Sequence, residues 1–246
     1  MHKKLEANDL WLDIGTLGTS CEQMPKTCAG LSAVVLEEMV RSLKLAIHME
    51  EKVLVVPAAS IAKHLNSSFD PASAQAIVDV ANRTRLFRPR SEVEQDESVK
   101  QIIPYVCIRC GESYVLLQRT SKQSEARLHN KFSLGIGGHI NDAEADSPDL
   151  VDAGLQRELS EEISLSSGYK LTPLGIIYDA STPVGRVHLG VVYELEACDQ
   201  SFTLNEPDLM SAKWVNVEEL RTYRDRMETW SQILFDHHIA GAGAPC

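Results

Sequence analysis

The sequence predicts an α/β or α+β sandwich, and three observations carry that reading. Short apolar runs bounded by turn residues recur from residue 52 onward and read as strands. Between them lie segments with apolar residues three and four apart, two of them opened by a capping residue followed by proline. No internal repeat breaks this mixture, so the helices must bury their apolar faces against a sheet.

Taken in order, residues 1–31 have weak periodicity and several breakers (Gly15, Gly18, Pro25, Gly30), and are expected to be loosely packed or disordered. Residues 32–50 read as an amphipathic helix through Val35, Leu36, Met39, Val40, Leu43 and Ile47. Together, residues 1–50 are taken as an N-terminal extension. A strand closed by Pro57 is expected at 52–57, then a helix with Asp70 as N-cap and Pro71 at its first position, carrying Ala74, Ile77, Val78 and Ala81. Residues 88–100 are charged and turn-rich and read as a connection. Residues 51–99 are thus an α/β segment packed on a main domain at 100–240.

That domain opens with strands at 102–110 and 114–119 flanking Gly111-Glu112-Ser113, a hairpin pattern. A glycine-rich, strand-like stretch follows at 132–140. The next helix is predicted from Ser147 as N-cap, with Pro148 first, to about Leu165. Further strands are expected at 174–178, 186–195 and 213–217, and a last, broken helix from Glu218 through Leu234.

The 246 residues carry a formal charge of −11, with 43% hydrophobic and 24% charged residues. Such a chain buries a core and repels nucleic acid polymers and anionic membranes, because Lys and Arg are scattered rather than patched. Met1-His2-Lys3-Lys4 is not followed by an apolar stretch, and Glu37, Glu38, Arg41 and Lys44 interrupt the most apolar early segment, so a cytoplasmic protein is expected. The six cysteines are too few for a disulfide scaffold in a chain of this length. Cys107 and Cys110 form a CxxC, but three residues apart on a strand they point to opposite faces, so they read as ordinary thiols rather than half a zinc site.

One helix breaks its own rules. Glu158, Glu161 and Glu162 stand at i, i+3 and i+4, on one arc of about 100°. Leu155, Leu159 and Ile163 flank them, which puts the carboxylates at the rim of the buried face. Each like-charge pair costs a helix about 0.2–0.5 kcal/mol, and anions near its C-terminal end cost about 0.3–1 kcal/mol more. Arg157 reaches Glu161 at i+4 but cannot neutralise three carboxylates. A divalent cation would, and oxygen-only ligands suit Mg²⁺ or Mn²⁺. Such an ion binds substrate phosphates directly, which makes a small phosphorylated metabolite the expected partner. A plain solvated acidic face is the competing reading.

Gly138 followed by Arg157-Glu158-Leu159-Ser160-Glu161-Glu162-Ile163-Ser164-Leu165 resembles the signature of the Nudix hydrolases: Gly, five residues, Glu, seven residues, Arg-Glu-apolar-any-Glu-Glu-any-Gly-apolar. The central element alone arises by chance in roughly one chain of this length in a thousand. Leu116-Leu117-Gln118-Arg119, Gly137-Gly138-His139 and Trp214-Val215 before Glu218-Glu219-Leu220 resemble the family's flanking segments, so the likeness spans residues 100–240. The stretch from Lys52 onward looks like a little-characterised bacterial branch described as predicted phosphoesterases. There are departures. Gly138 to Arg157 is 19 positions where the signature has 14, which suggests five residues inserted at 141–147. Counting back from Arg157, the earlier Glu falls on Asp149, and the later Gly is Ser164.

The resemblance implies an α/β/α sandwich with a mixed sheet and a metal-dependent pyrophosphohydrolase acting on a diphosphate linkage, such as that of a nucleoside diphosphate derivative. Glu161 and Glu162 would be the main metal ligands, Glu158 a third ligand or the general base, and the Gly138 carbonyl a further ligand. Arg157 would orient Glu161. Glu206, in a loop before the closing strand, is the candidate extra base. Arg119 and Arg186 would clamp phosphate oxygens, with surface ion pairs as the alternative. His139 and His188 read as structural hydrogen-bonding residues. Two rivals are weighed. An isoprenoid-diphosphate-isomerase-like enzyme would call for a Cys near the Gly-His turn, which is absent here. A non-catalytic ligand-binding or regulatory domain of the same fold would be marked by loss of the Glu residues, all of which are present. Substrate identity, homodimerisation and the role of residues 1–50 stay open.

Overall fold

A computed structural model of the protein describes residues 50–119, 131–205, 207 and 210–242. The helix expected over 32–50 lies outside the described residues but for Glu50, as do residues 120–130 and Glu206. The described residues belong to a unit that begins at Glu50.

The first strand, β1 (Lys52–Pro57), buries Val53, Leu54, Val55 and Val56 completely and leads into a single helical turn, α1 (Ala58–Ile61). The two-residue β2 (Phe69–Asp70) precedes α2 (Ala74–Thr84). Asp70 is therefore not the helix cap. Its Oδ1 accepts from the Ala72 amide at 2.9 Å, and Ser73 Oγ donates to its other oxygen, so it closes a turn three residues earlier while its backbone joins the sheet. The charged stretch at 88–100 is also more ordered than a connection. It holds the end of β3 (Leu86–Pro89) and α3 (Arg90–Val93), fastened by Arg88–Asp96 at 2.7 Å and Arg90–Glu94 at 2.9 Å.

β4 (Val99–Cys110) and β5 (Ser113–Arg119) form the expected hairpin, with Gly111 at φ 58° in the turn, where a side chain would be strained. The glycine-rich stretch yields β6 (Phe132–Ser133) and β7 (Gly135–Gly137). The acidic helix is α4 (Leu150–Glu162), shorter than predicted at both ends. Its N-cap is Asp149, not Ser147: the Asp149 carboxylate accepts from the amides of Val151 and Asp152 at 3.1 Å each. At the far end, β-branched Ile163 turns the chain into β8 (Ile163–Leu165), which pairs with β11 (Phe202–Leu204). Between those lie β9 (Tyr169–Ile177), α5 (Pro183–Val187) and β10 (His188–Ala197). Arg186 is thus helical rather than the start of a strand. β12 (Met210–Asn216) is followed by α6 (Val217–Tyr223), α7 (Thr229–Leu234) and a π turn at Phe235–Ile239.

The mixed sheet runs β12-β5-β4-β10-β9-β2, with β10 parallel to β4 and antiparallel to β9. Along its other edge β4 is met in turn by β1 at residues 99–101, by β7 at 105–107 and by β5 at 109–110. Side chains alternate across this spine. Val106 and Ile108 pack with Leu155, Leu159 and Ile163 of the acidic helix and its exit. Tyr105 and Cys107 face Leu220, Leu234 and Phe235 on the other side. Helices therefore cover both faces, as the sandwich requires. Burying Leu155 and Leu159 contributes roughly 1.5–3 kcal/mol each, which outweighs the few tenths lost to each like-charge pair and explains how the helix forms despite its carboxylates. No helix among the described residues is long and apolar enough to cross a membrane.

Candidate active site

α4 is held against the glycine turn by a single arginine. Arg157 Nε lies 2.8 Å from Glu144 Oε1, and its Nη1 lies 2.9 Å from both Glu158 Oε1 and Glu161 Oε2. Its Nη2 donates to the His139 carbonyl at 2.5 Å. The guanidinium thus uses its planar fork on three carboxylates and one peptide oxygen. The expectation that Arg157 orients Glu161 describes one of its four contacts.

Glu144, not Asp149, takes the position of the signature's earlier Glu. It stands six positions after Gly138, as the Gly-five-Glu spacing asks, and it reaches Arg157, while the Asp149 carboxylate is spent on the helix cap. Glu144 Oε2 also accepts from the Asn141 amide at 2.6 Å, which folds the loop after the turn back onto the arginine. The five additional residues therefore fall between Glu144 and Arg157, not at 141–147. Counting forward from Gly138 would have found this. The other departure, Ser164 in place of Gly, is also accounted for. Ser164 lies in β8, and Arg85 is the only non-glycine at positive φ among the described residues, so nothing there demands a glycine.

At Gly138 the absence of a side chain is what lets Glu158 approach. A Cβ there would sit 2.1 Å from Glu158 Oε1, so the carboxylate rests directly on the bare backbone of the turn. Glu158 is mostly buried, and burial pushes its carboxyl above the ordinary range, while Arg157 partly offsets this. Glu161 is exposed and Glu162 half-buried on the same arc. The helix end is tied to a later loop through Asn205, a residue sequence reasoning did not single out: its amide donates to Glu162 O at 3.0 Å, its Nδ2 donates to Ser160 O at 2.9 Å, and it accepts from Ser164 Oγ at 2.9 Å.

The remaining candidates are placed as follows. Arg119 ends β5 opposite Met210, and its side chain lies outside the description. Arg186 takes the ion-pair alternative, 2.7 Å from Glu97. His139 and His188 face each other, Nε2 to Nε2 at 3.3 Å. Burial and the nearby Arg90 lower the His139 pKa to about 3, so this imidazole is neutral. Cys107 pairs with Gly135 across the strands, but its side chain is fully buried and its thiol is pushed up by desolvation, so no activated thiol of the isomerase kind stands at this turn.

Known proteins bear on this geometry. The family described as NUDIX domain matches residues 101–237. Protein YmaB of Bacillus subtilis (strain 168) is 33% identical over 201 residues, which is 76% of this chain and 97% of YmaB. The solved structure of Tm1382, described as a putative Nudix hydrolase, is 32% identical and superposes with a TM-score of 0.66 over 77% of this chain and 99% of its own.

Proposed function

The chain belongs to the Nudix family and is a pyrophosphohydrolase of that type, and on that premise we propose that it hydrolyses the diphosphate linkage of a nucleoside diphosphate derivative or similar small metabolite, with Mg²⁺ or Mn²⁺ held by Glu158, Glu161, Glu162 and the Gly138 carbonyl. The observation that carries this reading is the charge count around Arg157: one guanidinium faces the carboxylates of Glu144, Glu158 and Glu161. The cluster keeps a surplus of negative charge at the rim of the core, and an all-oxygen donor set beside a bare glycine fits a hard divalent cation.

When bound, that ion supplies Lewis acidity: it polarises a phosphoryl oxygen, lowers the pKa of water and offsets charge on the leaving phosphate. The chain's own groups do the rest. Arg157 fixes Glu158 and Glu161 to each other and to the glycine turn, so their oxygens are aimed before substrate arrives. Water attacks phosphorus, the anhydride P–O bond breaks, and the proton of the water passes to a carboxylate. Glu158, raised by burial, and Glu206, which follows Asn205 at the helix end, are the candidate bases. Arg119 and Arg186 are proposed to meet the outer phosphate oxygens, Arg186 by exchanging Glu97 for substrate.

The test is product release from a panel of nucleoside diphosphate derivatives with Mg²⁺, with Mn²⁺ and with chelator, alongside the double variant Glu161→Gln/Glu162→Gln. Metal-dependent turnover lost in the variant is the expected result. Silence across the panel combined with tight metal-dependent binding of the same compounds would replace the hydrolase with a regulatory domain.

A further inference from the structure

We propose a second metal site, separate from the carboxylates of α4, in which His139, His188 and Glu94 bind one Zn²⁺-class ion and brace three distant stretches of chain. One ring nitrogen from each of His139 and His188 and a Glu94 carboxylate oxygen all lie within 4.8 Å of one another, and the two Nε2 atoms are 3.3 Å apart. The three residues come from the end of α3, the glycine turn and the first residue of β10.

The geometry of the imidazole pair suits a shared ion. Two nitrogens bound at about 2.0–2.1 Å to a tetrahedral Zn²⁺ stand roughly 3.3–3.4 Å apart. The observed separation of 3.3 Å matches that spacing. His188 Nδ1 lies 2.8 Å from the Val184 carbonyl, a contact that is favourable only if Nδ1 carries the proton. That tautomer leaves a lone pair on Nε2, and an outer hydrogen bond of this kind is how metal-binding histidines are usually oriented. Glu94 is itself steadied by Arg90, whose Nε is 2.9 Å from Glu94 Oε1 and whose Nη1 pairs with Glu51 at 2.9 Å. Two imidazoles and one carboxylate are a borderline donor set that selects Zn²⁺ over Mg²⁺ and leaves a fourth position for water.

The site is chemically distinct from the one on α4. The His139 carbonyl faces Arg157, while the His139 ring faces His188. The ion would therefore clamp the turn that carries Gly138 without taking any carboxylate from α4.

The experiment uses the full, untagged chain, stripped with chelator and titrated with Zn²⁺ against a chromophoric competitor in excess Mg²⁺, with Co²⁺ as a spectroscopic substitute. One equivalent of Zn²⁺ is expected, with the intense visible bands of tetrahedral Co²⁺. His188→Ala and Glu94→Gln should each weaken Zn²⁺ binding by at least about 10-fold, and Glu161→Gln/Glu162→Gln should leave it intact. Glu94 is half-exposed, so its variant keeps the test valid if the His188 variant fails to fold. Absence of the equivalent in the parent chain, binding unchanged in both variants, or binding lost in the double Glu variant would each overturn the assignment.

Discussion

Two glycines three residues apart, Gly135 and Gly138, open onto two polar clusters with opposite characters. A Cβ at Gly135 would strike the Tyr105 ring at 2.4 Å, and one at Gly138 would strike Glu158. Tyr105 belongs to a knot that closes on itself. Its hydroxyl lies 2.9 Å from Glu228 Oε1 and 2.8 Å from Ser231 Oγ, Ser133 Oγ is 2.7 Å from the same Glu228 oxygen, and the Leu134 amide donates to Ser231 at 2.8 Å. Glu158 belongs to a cluster in which, among the described residues, three carboxylates face one guanidinium. The first arrangement meets its polar demands inside the chain and fixes the C-terminal helices to the sheet. The second is left in surplus, which is the property the proposed metal site uses. A half-buried Glu alone does not mark a site, because Glu228 and Glu158 would read alike. The balance of partners around it does.

Substitutions can break that contrast. The largest effect is expected at Glu162→Gln: a loss of about 10²–10³-fold in metal-dependent hydrolysis with the thermal midpoint unchanged, measured by turnover and melting on the same sample. Undiminished turnover would remove Glu162 from the site. Gly138→Ala forces the flexible end of Glu158 off the turn and should cost about 10²-fold in activity, with little change in stability. Gly135→Ala, pressed against the buried Tyr105 ring, should instead lose about 1–3 kcal/mol of stability with kcat far less affected. If both glycine variants lost activity equally, the two clusters would not be separable. Tyr105→Phe should cost about 1–2 kcal/mol by denaturant titration, since Glu228 and Ser231 lose a partner, and should leave kcat unchanged.

The smallest effect tests a half-buried pair outside both clusters. Hydrogen bonds from Ser98 and Arg88 lower the Asp96 carboxyl to about 2. Because its folded pKa is depressed, its contribution is present above the unfolded value near 3.9 and fades as pH falls towards 2. Asp96→Asn should therefore lower the thermal midpoint at pH 7, and the gap to the parent should close as pH falls towards 2. A gap independent of pH would mean that packing, not charge, is lost.

Much of this was legible in the sequence because strands and the apolar flank of α4 follow simple periods. Leu155, Leu159 and Ile163 are buried as their spacing predicts, and β1 has the predicted bounds. Three things were not legible. Ser147-Pro148 and Asp149 are both credible helix starts, and only the hydrogen bonds show that Asp149 caps. Glu144 was hidden because the signature was counted back through an insertion rather than forward to it. The ordered turn at Arg90–Val93 hides in charged sequence because it is fastened by ion pairs with Glu51, Glu92, Glu94 and Asp96, which leave no hydrophobic period. Roles for Glu206 and Arg119 rest on family likeness alone.

The stitching of the glycine turn has a bearing on how the protein can be cut. Leu54 N donates to the Ile140 carbonyl at 2.8 Å, and Val53 bridges Asn141, so β1 supports the turn through its backbone. A chain trimmed to the family match at residue 101 would keep every proposed metal ligand on α4. It would also bare part of the long edge of β4 and remove the backing of the turn on which Glu158 rests. The inherited domain boundary and the mechanical boundary of this enzyme therefore lie about half a hundred residues apart, between Glu50 and Gln101.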